Sequence, residues 1–137
     1  MTGLTSLDEI LTQLEPRLAP QSYVYCSVPD PADILAAGIQ PFALVREREG
    51  VTLVLEATDA GALGMDTTRL FQRISLGVHS SLEATGLTAV ASQALTDAGI
   101  SANVIAGYFH DHFMVPASGA PEALAALSRL SEAAGEA

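Results

Sequence analysis

Between Leu70 and Pro116 the hydrophobic period of the chain switches from two to the helical 3.6 and back, and few folds accommodate that change. Leu70, Ile74, Leu76 and Val78 share one parity, while Arg73, Ser75, Gly77 and His79 take the other. The spacing predicts a strand with one core face and one polar face. Leu87, Val90, Ala91, Ala94, Leu95 and Ala98 then recur at helical spacing and stop at Gly99, the pattern of an amphipathic helix closed by a C-terminal glycine. "SANVIAGYF" (101–109) and "HFMVP" (112–116) read as two strands connected by Phe109-His-Asp-His112. A last helix starts near Pro121, suited to a first-turn position, and carries Leu124, Leu127 and Leu130.

The upstream half repeats the rhythm. Ser6-Leu-Asp-Glu9 has the form of a capping box, and Leu7, Ile10, Leu11 and Leu14 follow at helical spacing before Pro16. Ser22 to Val28 is rich in β-formers and stops at Pro29; a short helical piece from Asp33 to Ala37 follows. Phe42–Glu47 and Val51–Glu56 flank Arg48-Glu-Gly50 as a hairpin. Val51, Leu53 and Leu55 lie on one face of its second strand and Val54 on the other, so both faces are expected to be covered. Ala57 to Leu63 reads as a brief helix.

The order β-α-β-β-α therefore occurs twice, which predicts the α+β class: two ferredoxin-like βαββαβ modules with antiparallel sheets, packed intimately, at 1–67 and 68–137. The second module lacks a fourth strand of its own, and Tyr23 to Val28 is a candidate to fill that edge.

Composition narrows the function. At 137 residues and 49% hydrophobic content the chain can bury a core. Its net charge is −10, and all six basic residues are arginines. Such a surface repels nucleic acid and anionic membranes, so neither is expected as a partner. Without lysine there is no Schiff-base lysine and no P-loop lysine. Cys26 stands alone in an apolar run and reads as a small buried hydrophobe. The N-terminal stretch is acidic where a signal peptide is basic, and no apolar run approaches the ~20 residues of a membrane span, so a cytoplasmic location is expected.

The stretch Ile74–Val115, "ISLGVHSSLEATGLTAVASQALTDAGISANVIAGYFHDHFMV", resembles the ACT domains, small ligand-binding modules that regulate amino-acid metabolism. More narrowly, it is similar to bacterial stand-alone proteins with two ACT-like modules, related to the ACT pairs of cytosolic arginine sensors. "YVYCSVP" and "VREREGVTLVL" extend the likeness to the N-terminal half. The general ACT pattern of acidic residue, proline and glycine is replaced here by His79-Ser-Ser-Leu-Glu-Ala-Thr-Gly86. The resemblance implies a non-enzymatic regulatory protein, bacterial and allosteric. It binds an amino acid at a module or subunit interface without a cofactor, as a homo-oligomer, with a metabolic enzyme as a further partner. By the same resemblance, Glu83, Gly86 and Asp111 contact the ligand.

The residues support that reading physically. A free amino acid presents a carboxylate and an ammonium. Gly86, Leu87 and Thr88 open the helix, where unpaired N–H groups favour an anion, and an ionised Asp111 suits the ammonium. Tyr108 and Phe109 are either sheet or interface residues or a ligand-stacking pair. Against this stand plainer roles: Asp111 as a turn residue, Glu83 as a cap, Gly86 as a conformational requirement. Two other functions compete. One is a docking or dimerisation module for a metabolic enzyme or transporter, binding no ligand. The other is an enzyme, either metal-dependent on His79, His110 and His112 or with a serine nucleophile at Ser80 or Ser81 beside His79.

Overall fold

The computed structural model describes residues 7–78 and 86–136. Its element order is α1 (Leu7–Thr12), β1 (Pro16–Val28), α2 (Ala32–Ala36), β2 (Ala43–Glu47), β3 (Gly50–Glu56), α3 (Ala57–Ala62), β4 (Phe71–Leu76), α4 (Leu87–Asp97), β5 (Asn103–Ala106), β6 (Asp111–Pro116) and α5 (Ala120–Glu136), with a 3-10 turn at Ala117–Gly119. Strand order is β2-β3-β1-β4-β6-β5, in antiparallel pairing, and the class is α+β. Two compact units form. One is Gln21–Phe71; the other joins the residues up to Pro20 to those from Gln72 onward.

In the 21–71 unit, β1 pairs with β3 from Tyr23 opposite Glu56 to Val28 opposite Val51. β2 and β3 form the hairpin read from the sequence, with Glu47 opposite Gly50. Val24, Val51, Leu53, Leu55 and Ala60 make its core, with Cys26, Ile34, Ile39 and Met65 packed against them. The Cys26 thiol contacts the Leu53 carbonyl at 3.6 Å, and burial raises its pKa, as suits a packing residue. On the opposite face Val54 is also buried, and Tyr25 meets Phe71 edge-on with ring centroids 5.1 Å apart. Both faces of β3 are thus covered.

In the other unit, Ile74 and Leu76 of β4 and Phe113 and Val115 of β6 face Leu87, Ala91 and Leu95 of α4 and Ala123 and Leu127 of α5. Ile10 and Leu14 close the same cluster from the N-terminal segment. Each fully buried large apolar side chain contributes about 1.5–3 kcal/mol relative to exposure, so this cluster is the main stabilising element of the unit.

The edge beside β4, where a βαββαβ module places its last strand, is taken by the first residues of β1. The Gly77 N–H donates to the Glu15 carbonyl at 2.9 Å, and the Gln72 amide reaches the Ala19 carbonyl at 3.4 Å. The filler is therefore Pro16 to Pro20, not Tyr23 to Val28. Both prolines precede the stretch of β1 registered with β3, where a missing N–H costs little. Gly77 is needed for this approach, because a Cβ there would lie 3.0 Å from that of Glu15.

Two local expectations shift. Leu70 is 39% exposed, and the strand begins only at Phe71. The β5–β6 connection is Gly107 to His110, so Asp111 and His112 belong to the strand rather than the turn. Tyr108 and Phe109 take their place in the connection. Ser6 of the capping box lies outside the described residues.

Candidate functional site

The site is built at one end of the unit that contains α4. The chain leaves β4 at Val78 and re-enters the described structure at Gly86, the N-cap of α4. Val78 and Leu87 are both buried in the core shared with Phe113. The β5–β6 connection reaches the same end, where His110 Nδ1 lies 3.2 Å from the Val78 carbonyl oxygen. That contact makes Nδ1 the donor. The end of β4 and the hairpin are thereby brought together.

Gly86 adopts φ +91° with no side-chain cap on the helix start. A Cβ there would meet nothing nearer than Leu7 Cδ2 at 3.5 Å, so glycine is required by the left-handed backbone rather than by space. The Leu87 side chain is buried in the core, which leaves only its backbone for a ligand; Thr88 is exposed. The first N–H groups of α4 therefore form a donor set suited to an anion. Glu83 lies outside the described residues, as do His79, Ser80 and Ser81.

Asp111 opens β6 opposite Ala106. It shares parity with Phe113 and Val115, so its side of the strand is the one the helices cover. Burial pushes its carboxyl above the usual carboxylate range, and the His110 charge works against that rise. His112 faces the other way and exchanges a 2.7 Å hydrogen bond between Nδ1 and Ser75 Oγ. Burial, then the Arg73 and His110 charges, hold His112 below the normal imidazole range. Its ring also packs on Gly107, where an added Cβ would lie 2.9 Å from the His110 carbonyl and 3.4 Å from His112 Nε2. Tyr108 and Phe109 stand exposed at 75% and 59%, edge to face with centroids 5.0 Å apart.

Asp111, Tyr108 and Phe109 thus stand on the hairpin that meets the end of β4, while Gly86, Leu87 and Thr88 open α4 in the same unit. The serine–histidine contact was missed in the sequence. Alternation had already placed Arg73 and Ser75 on a polar face, but only the strand register brings His112 to them. The pair does not make a triad, because Asp111 projects from the opposite face of β6 and cannot orient the His112 ring. Among the described residues, no three histidine, cysteine or acidic side chains converge as a metal set. No described helix is long and apolar enough to cross a membrane.

Residues 2–72 match one ACT domain family and residues 72–129 a second. No curated protein matches the chain. Among solved structures, a Vibrio cholerae protein of unknown function, described as a possible transport protein, is 45% identical. It superposes with a TM-score of 0.82 over 95% of this chain and 99% of its own. The regulatory subunit of aspartate kinase from Thermus flavus shares the fold at 14% identity, with a TM-score of 0.62 over 84% of this chain and 95% of that one. Escherichia coli aspartokinase III, in complex with aspartate and ADP, shares it at 12% identity and a TM-score of 0.60. That match covers 86% of this chain and 33% of the kinase.

Proposed function

Since the chain belongs to the ACT domain family, a family of regulatory modules, we propose that it is a non-enzymatic regulatory protein that binds an amino acid. What supports this reading is a pair of opposite preferences within one unit. The α4 start at Gly86 offers backbone N–H groups without a side-chain cap, and Asp111 offers a half-buried carboxylate on the helix-facing side of β6. A ligand carboxylate suits the first and an ammonium the second. Binding the ammonium would lower the Asp111 pKa, against the burial that raises it. Leu87 and Thr88 contribute through the backbone, Glu83 from the preceding segment, and Tyr108 and Phe109 close over the ligand's side chain. The protein acts in the cytoplasm as a homo-oligomer, most simply a dimer, and ligand binding favours one arrangement that a metabolic enzyme reads.

A thermal-shift series against the common amino acids tests this, since a ligand bound only by the native state raises Tm as its concentration rises. One amino acid should give a concentration-dependent rise that Asp111→Ala removes while the ligand-free melt persists. No rise with any of them would shift the weight to a docking module without a ligand.

A further inference from the structure

Helices α4 and α5 leave between them an open groove of about 290 Å³, lined by Ala94, Asp97, Ala98, Ala126, Arg129 and Leu130. Three methyl side chains keep its floor low. Asp97, from α4, and Arg129, from α5, are both exposed. Asp97 is the only charged residue in the eleven of α4, so the solvent-facing Thr88, Ala89, Gln93 and Thr96 carry no charge. The outer face of a helix in a chain of net charge −10 ordinarily does. Gln93 donates to Asp97 at 2.7 Å and fixes its carboxylate. Arg129 makes no ion pair within 4 Å among the described residues.

We propose that this groove is a homodimer interface, in which a second copy of the chain packs its own α4 and α5 on the same helices about a two-fold axis. Because Asp97 lines the groove from α4 and Arg129 from α5, a two-fold axis between them would set Asp97 of each copy against Arg129 of the other, and a patch with one charge of each sign is complementary to itself. The methyl floor lets the helices approach, because interaxial distance is set by the side chains at the contact. A free amino acid is the weaker occupant, since an open groove with both charges in water buries little of a small ligand. The proposal rests on the reading of the chain as a homo-oligomer and is independent of the ligand.

Sedimentation equilibrium of the full chain without ligand tests it. Wild type should be dimeric. Asp97→Arg and Arg129→Asp should each raise the dimer Kd by about tenfold or more, by setting like charges across the axis. The double exchange should restore the wild-type value. Single reversals that leave the dimer intact would overturn this surface while sparing the oligomer. A chain that stays monomeric at every concentration would overturn both. A double exchange that melts like wild type yet does not re-associate would overturn the reciprocal pairing.

Discussion

His112 is a histidine whose surroundings oppose its charge. It is half-buried, accepts or donates one short hydrogen bond with Ser75, and sits where Arg73 and His110 both repel a proton. Its folded pKa lies below 6.5 while the unfolded value stays near it. The unfolded chain therefore binds more protons in that interval. The stability contributed by neutral His112 is fully present above about pH 6.5 and is lost as pH falls through the folded value. Asp111 has the opposite sign: its raised pKa gives stability that is present below 3.8 and lost as pH rises through the folded value. The His112 contribution should therefore lower the melting temperature as pH falls below about 6.5, and His112→Asn should flatten that slope while keeping an acceptor for Ser75. An unchanged slope in the variant would show that other groups set the acid limit.

The elements divide sharply between those that hold the unit together and those that are exposed at its end. Phe113 in β6 is fully buried amid Ile74, Leu87 and Leu127, so Phe113→Ala should cost about 3–5 kcal/mol in urea unfolding. Tyr108→Ala, five residues before Phe113 yet exposed, should cost within about 0.5 kcal/mol and should report on ligand affinity instead. The same division explains what the sequence made legible. Period-two and period-3.6 runs identify β3, β4 and α4, because each buries a face that local spacing alone reveals. Two things were not written in any local pattern. Pro16 to Pro20 looks like a breaker, and its role as an edge strand follows only from the vacancy beside β4. Asp111 reads as a turn residue because Phe-His-Asp-His is polar; the hairpin tightens earlier, at Gly107, where the N–H donates back to the His110 carbonyl. Ser75 and His112 are 37 residues apart, and their contact depends on a strand register that neither segment specifies alone.

Over the whole molecule the dominant electrostatic fact is imbalance. Sixteen acidic residues face six arginines, and the two ion pairs found among side chains of the described residues, Arg17–Glu15 and Arg48–Glu49, are both largely exposed. Exposed pairs contribute about 0–1 kcal/mol each, so their loss in salt costs little. Repulsion among the surplus carboxylates acts over the full surface and opposes the compact state. Raising NaCl from about 10 mM to about 150 mM shortens the screening length from about 30 Å to about 8 Å. Screening should therefore stabilise this chain. A gain of about 1 kcal/mol corresponds to a rise in Tm of roughly 2–8 °C for a domain of this size range. The measurement is a melt across that salt series, at a protein concentration low enough to keep the chain monomeric. A rise in Tm with chloride and with the more excluded sulfate alike is the expected result, because screening depends on ionic strength. A rise with sulfate alone would assign the effect to surface exclusion rather than charge. A fall with both would mean that attractive pairs outweigh the acidic surplus.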